Sequence, residues 1–417
     1  MKGLSDTSSI ATRRFLIGCV RAYLAAEPPP EPPASGDAEI DWSSLLQLGA
    51  IHRVTPLLYQ HLRRTSPHVV SKSILEETEA YARSTARRSL LLTGELLRLV
   101  KALEARGIAA IPIKGPALAS FLYGDAALRQ YDDLDILLRP DDVAAAKALL
   151  LSLGYQSKPQ LTLRQEQANP RDGLHEQLWV GEGASRIVVE LHRDLVPGDS
   201  PFEADLNGVW DRHSRVSLAG TMMRTLSPED LLLFLCAHGG KHSWVRLQWV
   251  CDVAQLVRRQ TTLDWDLVLK HAQTSNAQQM LFLGLALADD LLGAPIPPAL
   301  RNQIQQDALT KKFSALVKWR LLHESTSPLM RRYWKEVSFH LQAGARVRDR
   351  IGFWPRLWLK TFTTPTSAEW AMLPLPDVLF PLYYVVRPAR LAGKYMLKVP
   401  DVVCARFIGM LRSVIPR

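Results

Sequence analysis

The chain has 417 residues, of which 47% are hydrophobic and 22% are charged, and its formal net charge is +10. This composition is typical of a soluble globular protein with two or three domains. It excludes an integral membrane protein, because no apolar run reaches the roughly 18 residues of a spanning helix. The 4 cysteines are scattered without a C-x-x-C pair, so neither a disulfide framework nor a zinc ribbon is indicated, and we expect a cytoplasmic protein.

The first 40 residues predict a short helix and a linker. "TRRFLIGCV" is similar to a twin-arginine export signal, but Arg21 ends its apolar run before the roughly 7 to 15 residues that such signals need. We therefore expect an amphipathic helix over residues 10–26. The proline-rich stretch "EPPPEPPASGD" then predicts an extended linker.

Residues 41–107 have apolar side chains at helical spacing and predict about three helices, with Gly107 as the final C-cap.

The pattern then changes to alternating strands and helices. Four apolar segments predict short strands: "IAAIPI" (108–113), "LDILL" (134–138), "EQLWV" (176–180) and "SRIVVELH" (185–192). The last two are separated by "GEGA", which predicts a hairpin turn. "PALASFLYG" and "PDDVAAAKALLLSLG" predict helices that begin at Pro116 and Pro140. The fold class is therefore α+β, with a small mixed sheet inside a predominantly helical protein.

"LSPEDLLLFLCAH" marks a new helix, with Ser227 as N-cap and Pro228 at the first helical position. Helical spacing continues to about His323. Five prolines between residues 365 and 388 exclude one continuous helix near the end of the chain. We divide the chain into five regions: an N-terminal helix and linker (1–40), a helical region (41–107), a mixed core (108–222), a helical domain (223–330) and a basic, aromatic, proline-broken helical region (331–417).

The last of these regions carries the whole excess of positive charge. Residues 331–417 contain 15 Lys and Arg against 5 Asp and Glu, a difference equal to the net charge of +10. Basic side chains interleaved with Trp and Tyr suit nucleic acid, an anionic membrane surface or an acidic partner. A solvated basic surface over an apolar helical core is the alternative.

Three carboxylates indicate a metal site. Asp133 and Asp135 lie two residues apart at the head of a predicted strand, so they share one face and need a compensating cation. Glu190, in "VVELH", joins them if its strand lies beside "LDILL". Converging carboxylates favour Mg²⁺, and two ions would activate an attacking oxygen and stabilise a pyrophosphate leaving group.

A phosphate site is predicted just upstream. In "IKGPA" a strand ends and a helix begins, and the backbone at Gly115 allows close approach of a ligand. Helix N-termini attract phosphate, and Lys114 adds a cation.

These residues resemble the polymerase-beta-like nucleotidyltransferase superfamily, through the glycine turn, "DLDI" (133–136) and "VEL" (189–191). Within it, residues 111–155 look like the bacterial family of uncharacterised nucleotidyltransferases, also called type 5 NTP transferases. The similarity extends to "DWSSLLQLGAIHRVTPLLYQ", "LSPEDLLLFLCAHGGKHSWVRLQWVCDVAQLV" and "LPLPDVLFPLYYVVRPARL".

The resemblance implies roles for particular residues. Asp133 and Asp135 would bind the metals, and Glu190 would be the third acid. Lys114 and Gly115 would lie at the triphosphate, together with Arg129. The resemblance also implies that His238, Lys241 and His242 line the cleft that faces the sheet. One departure from the superfamily is Gly115-Pro116, where a Gly-Ser pair is usual.

Several residues have alternative interpretations. Glu190 could pair with Arg186 or Arg193, and Lys114 could be a surface cation. His238 and His242 could form a metal pair, although no acidic residue separates them as a metalloprotease motif requires. Asp252 could bind base, sugar or acceptor, or pair with an arginine. "HRDLVPGD" is similar to a kinase catalytic loop, but the glycine-rich loop and the Asp-Phe-Gly motif are missing.

The function predicted from the sequence is Mg²⁺-dependent transfer of a nucleoside monophosphate from an NTP to an unknown acceptor, with release of pyrophosphate. The acceptor could be a small molecule, a protein or RNA. The alternative is a catalytically inactive scaffold or binding protein of an envelope or peptide biosynthetic pathway. A tRNA-modifying or antitoxin-like role is a third interpretation. An affinity for RNA that falls steeply with salt concentration would favour it.

Overall fold

The computed structural model describes residues 6–27, 40–64, 70–157, 175–180, 186–195, 204–323, 365, 367–373 and 375–396. Within them a small mixed sheet lies among many helices, which is the predicted α+β class. Most of the predicted linker and most of the basic C-terminal region lie outside the described residues. The five predicted regional boundaries stay a prediction.

The N-terminal helices follow the sequence pattern. They are α1 (Asp6–Ala25), α2 (Trp42–Ile51), α3 (Thr55–Leu62) and α4 (Lys72–Glu104), so three helices lie between residues 41 and 107 as predicted. Asp41 caps α2 by accepting a hydrogen bond from the Ser44 N–H, and Ser71 caps α4 in the same way. Buried leucines of α4 at positions 92, 96, 99 and 103 recur at helical spacing and pack against the sheet.

The sheet has five strands in the order β1-β2-β5-β4-β3. The strands are β1 (Ala110–Pro112), β2 (Asp133–Leu138), β3 (Gln156–Ser157), β4 (His175–Val180) and β5 (Ile187–His192). The pair β2 and β5 is parallel, and the other neighbouring pairs are antiparallel. Helices α5 (Gly115–Tyr123) and α6 (Val143–Ser152) follow β1 and β2. The central pairing therefore joins the two strands that carry the predicted carboxylates.

Strand β2 divides its side chains between two cores. Leu134, Ile136 and Leu138 are buried with α4 and α6 on one side of the sheet. Leu137 belongs to the larger core, which is built mainly by the helical part of the chain. Because side chains alternate along a strand, Asp133 and Asp135 share the side of Leu137 and face the helices.

A second, two-stranded sheet was not predicted. After α7 (Leu206–Arg212), strands β6 (Ser214–Leu218) and β7 (Thr221–Thr225) form a hairpin. Its turn residues, Ala219 and Gly220, have φ angles of 47° and 81°. Two positive φ angles match the twist of a tight hairpin, which explains the glycine at the second position.

The helical part begins where the sequence places it. Ser227 caps α8 (Pro228–Lys241) by accepting a hydrogen bond from the Asp230 N–H. Five helices follow: α9 (Leu247–Arg259), α10 (Trp265–Thr274), α11 (Gln278–Leu292), α12 (Pro298–Gln306) and α13 (Ala308–His323). Helical structure thus continues to His323, as the apolar spacing predicts.

Near the C-terminus, short helical pieces replace one continuous helix. They are α14 (Ser367–Met372), a 3-10 helix (Asp377–Leu382) and α15 (Tyr383–Met396). Glu369 is fully buried and accepts hydrogen bonds from Arg387 at 3.0 Å and Arg390 at 2.5 Å, which fastens α14 to α15. Among the described helices, none is both long and apolar enough to cross a membrane.

Candidate active site

The structure brings two of the predicted carboxylates side by side. Strands β2 and β5 run parallel, and Asp135 is in register with Glu190. Asp133 precedes Asp135 by two positions on the same face of β2 and is close enough for its charge to interact with that of Glu190. The three carboxylates thus lie on one face of the sheet, and their joint binding of a metal stays a prediction.

Asp135 lies at the centre of this group. Its side chain is 1% exposed, and its Oδ1 accepts a hydrogen bond from Lys114 Nζ at 2.8 Å. His192 Nε2 lies 2.9 Å from the same oxygen. Burial alone would raise the pKa of Asp135, but the charge of Lys114 and the contact with His192 hold it well below its usual range. Asp135 is thus an ionised, buried carboxylate.

The second oxygen of Asp135 is chemically distinct from the first. Oδ2 is buried and accepts no hydrogen bond from the described residues. A buried carboxylate oxygen in this state is costly unless a cation or another donor binds to it.

Asp133 is shifted in the opposite direction. Burial and repulsion from the Asp135 carboxylate raise its pKa to about 6, although Lys114 works against the rise. Two neighbouring carboxylates are expected to separate their pKa values in this way, because simultaneous ionisation is unfavourable without a compensating cation. At neutral pH the face carries more negative charge than Lys114 alone offsets.

A glycine turn opens α5 next to these carboxylates. Gly115 has φ of 68°, and a Cβ at this position would lie 3.4 Å from the backbone oxygen of Asp133. The turn is therefore left-handed and packs closely on β2, both of which favour glycine. Lys114 directly precedes it, and Pro116 lies in the first helical turn as predicted. The N-terminus of α5 and the Lys114 ammonium thus flank the carboxylates.

Aromatic and imidazole rings of α8 and α9 form a cluster near Lys114. The ring centroids of His238 and His242 are 4.7 Å apart, and His242 stacks on Trp249 at 5.2 Å. Burial and repulsion from Lys114 hold the pKa of His238 well below its usual value. Burial and the charge of Lys241 lower the pKa of His242 to about 4. Both imidazoles are therefore neutral at pH 7.

These positions bear on the two interpretations of the histidine pair. The charge of Lys114 acts on both imidazoles, and the role of His238, Lys241 and His242 as a cleft wall stays a prediction. Lys241 is exposed at the end of α8. Among the described residues, neither histidine belongs to a group of three metal-ligating side chains, so the structure gives the metal interpretation no support.

Arg129 and Asp252 form a buried ion pair. Arg129 Nε and Nη2 donate to the Asp252 carboxylate at 3.0 to 3.1 Å, and Tyr123 Oη donates to it at 2.9 Å. The side chains of the pair are 5% and 0% exposed. The structure thus pairs Asp252 with an arginine, which is one of the two interpretations of this residue. The predicted contact of Arg129 with phosphate and the predicted contact of Asp252 with base, sugar or acceptor stay predictions.

His192 is a member of the site that the sequence analysis did not single out. It follows Glu190 by two positions on β5, so both side chains point to the same face. Its Nε2 lies 3.6 Å from Glu190 Oε2. Burial lowers the pKa of His192, but hydrogen bonds with Asp135 and Glu190 outweigh this and raise it. The alternation in "VVELH" was the signal that could have found it.

The donor set fits a divalent cation. Asp135, Glu190 and His192 each offer one ligand atom, and these atoms lie within 4.8 Å of one another. Carboxylate oxygens suit Mg²⁺ and Mn²⁺, and the buried Asp135 Oδ2 is an available ligand. Asp133 is not one of these three, but its carboxylate borders them on β2.

Comparisons with known proteins show the family of the chain. A family model described as an uncharacterised nucleotidyltransferase matches residues 38–293, which is more than half of the chain. No curated protein matches the chain. Among solved structures, it is similar to an antigenic nucleotidyltransferase-like protein from Paracoccidioides brasiliensis, with 16% identity and a TM-score of 0.27. That match covers 47% of this chain and 92% of the other.

Proposed function

Because the chain belongs to the family of uncharacterised nucleotidyltransferases, we propose that it transfers a nucleoside monophosphate group from an NTP to an acceptor. The observation that carries the proposal is the pairing of Asp135 with Glu190 on parallel strands, with a buried and unpartnered Asp135 Oδ2. Such an oxygen is suited to a cation, and the neighbouring helix N-terminus is suited to phosphate.

Asp133, Asp135 and Glu190 would hold the metal, for which the sequence indicates two Mg²⁺ ions. When bound, the cation would neutralise phosphate charge and lower the energy of the pyrophosphate leaving group. Lys114 and the backbone N–H groups that open α5 would bind the β- and γ-phosphates. This arrangement supports the proposal because Lys114 Nζ lies 2.8 Å from Asp135 Oδ1 and Lys114 is the N-cap residue of α5.

In the reaction, an acceptor oxygen forms a bond to the α-phosphorus while the bond from that phosphorus to the bridging oxygen breaks. Pyrophosphate leaves with the electron pair of the broken bond. Glu190, whose side chain is 18% exposed, would take the acceptor proton. The rings of His238, His242 and Trp249 pack together, and the exposed His242 would offer a flat surface to the nucleoside.

The test is incubation of the protein with each NTP labelled at the α-phosphate, with divalent metal and a cell extract. We expect label on one class of acceptor with the wild-type protein and none with Asp135→Asn. Asp141→Asn is the matched control, because Asp141 is an exposed aspartate just beyond the far end of β2. Label transfer by Asp135→Asn at the wild-type rate would contradict the proposal.

A catalytically inactive scaffold is the second candidate, and one observation favours it. The phosphate turn carries Gly115-Pro116, so it lacks the serine hydroxyl that is usual in the superfamily. A scaffold would retain its function in cells when Asp133 and Asp135 are both replaced by Asn. An enzyme would lose it, while far-UV circular dichroism shows the same helical content.

A further inference from the structure

Strand β5 presents an imidazole to the carboxylate group. Glu190 and His192 lie on one face, and their register partners on β2 are Asp135 and Leu137. The polar part of this face thus ends at His192, because Leu137 already belongs to the helical core. The side chain of His192 is 14% exposed, so the imidazole lies between the two carboxylates and the apolar interior.

One ligand atom from each of Asp135, Glu190 and His192 lies within 4.8 Å of the other two, which is compatible with a shared divalent cation. His192 Nε2 is 2.9 Å from Asp135 Oδ1 and 3.6 Å from Glu190 Oε2. Ligands at bond lengths of about 2.0–2.2 Å are separated by about 3.0 Å at right angles and about 3.5 Å at tetrahedral angles. The Asp135 oxygen that is left for an ion is Oδ2, on the same carboxylate as the Oδ1 that His192 contacts, so all three side chains can offer a ligand to one ion.

Asp135 supplies an independent observation for such an ion. Its side chain is 1% exposed, yet Oδ2 is buried and accepts no hydrogen bond from any described residue. Lys114 Nζ and His192 Nε2 both approach Oδ1 instead. One oxygen is thus held by the protein's own cation, and the other is left for a ligand from outside the chain.

We propose that His192 is a direct metal ligand beside Asp135 and Glu190, and that the site therefore takes Mn²⁺, or a similar first-row divalent ion, in preference to Mg²⁺. Mg²⁺ prefers an all-oxygen octahedral shell and dehydrates reluctantly. Mn²⁺ accepts carboxylate oxygens, and imidazole nitrogen suits the first-row transition metals that follow it in affinity. A site with one imidazole nitrogen and two carboxylates therefore favours Mn²⁺ and similar first-row ions over Mg²⁺.

The inference rests on the proposed nucleotidyltransferase activity only for the role of the metal in that reaction. Metal binding is measured on the protein without nucleotide. The protein can therefore bind Mn²⁺ without transferring a nucleotide, or transfer a nucleotide without a preference for Mn²⁺, and the two proposals can fail separately. The probe is Mn²⁺, whose six-line electron paramagnetic resonance signal is lost from solution on binding. Competition with Mg²⁺ then gives the ratio of the two affinities.

We expect the wild-type protein to bind Mn²⁺ at least about tenfold more tightly than Mg²⁺. His192→Asn should lower Mn²⁺ affinity by about tenfold or more and change Mg²⁺ affinity much less, so that the preference collapses. His192→Glu, which restores three carboxylates, should move the preference towards Mg²⁺. His213→Asn is the matched control, because His213 lies beyond the end of α7 and contacts the Trp210 carbonyl oxygen.

A measurement on the unmodified protein covers the case in which the variants fold poorly. Pulsed electron paramagnetic resonance of bound Mn²⁺ should show ¹⁴N modulation from a coordinated imidazole. Bound Mn²⁺ without ¹⁴N coupling would overturn the proposal, as would equal affinity for the two ions. Failure of the wild-type protein to bind either ion would overturn it as well.

Discussion

Replacement of Asp133 by Asn should make the metal-free protein more stable. Burial and the Asp135 carboxylate raise the pKa of Asp133 from 3.8 to about 6. A group whose pKa is raised on folding stabilises the protein below its unfolded pKa, and this stabilisation is lost as the pH rises through the folded value. At pH 7 the loss amounts to at most about 3 kcal/mol, and since Asp133 is partly exposed we expect about 1–2 kcal/mol after solvent screening.

Asn has nearly the same shape as Asp and carries no charge, so the variant avoids this loss at every pH. For a chain of this length the gain corresponds to a rise in Tm of about 1–2 °C at pH 8. Differential scanning fluorimetry from pH 4 to pH 8 in the presence of a chelator measures it. The difference between variant and wild type should shrink towards zero as the pH falls to 4.

Divalent metal should reduce or reverse the difference in Tm between Asp133→Asn and wild type. A ligand that binds only the folded state raises its stability by an amount that grows with ligand concentration. Wild type should therefore gain more Tm from added Mn²⁺ or Mg²⁺ than Asp133→Asn does. Asp141→Asn serves as the charge control and should show neither effect. The reasoning is refuted if Asp133→Asn is no more stable than wild type at pH 8, or if the difference between them does not depend on pH.

Three further predictions concern neighbouring parts of the structure. Arg129→Met leaves the Asp252 carboxylate buried without its cation and with Tyr123 as its remaining partner, so urea unfolding should show a loss of about 3–5 kcal/mol. Asp252→Leu should restore most of this loss in the double variant. Gly115→Ala forces a left-handed residue at φ of 68° and should cost about 1–2 kcal/mol, whereas Gly94→Ala in the exposed face of α4 should be neutral or stabilising. Burial, and then the charge of Lys114, lowers the pKa of His238, so the neutral imidazole stabilises the protein above pH 6.5 and this stabilisation is lost as the pH falls below 6.5. The Tm of His238→Gln relative to wild type should therefore rise between pH 7 and pH 5. A Tm difference that does not change with pH would contradict this explanation.

The sequence pattern sufficed for the elements whose hydrophobic period is clear. The strands at "LDILL" and "SRIVVELH", the Ser227 cap and the helices from residue 41 onwards lie where the pattern predicts them. The hairpin of β6 and β7 was missed because its strands are short and bear exposed polar side chains, and its turn is Ala-Gly rather than a stronger Asn-Gly signal.

The site was predictable where it follows from local geometry. Asp133 and Asp135 share a face because of strand alternation, and the same argument applied to "VVELH" would have added His192 beside Glu190. The pairing of Arg129 with Asp252 could not be predicted in this way. These residues are 123 positions apart, and only the packing of α9 against α5 brings their side chains together.

The ion pair between Arg129 and Asp252 also bears on any attempt to dissect the protein. Arg129 belongs to the connection that leads into β2, whereas Asp252 lies in the middle of α9. A fragment cut between the sheet and the later helices would keep the guanidinium and lose the carboxylate that neutralises it. We therefore expect a fragment that presents Asp133 and Asp135 to be stable only when it extends at least through α9.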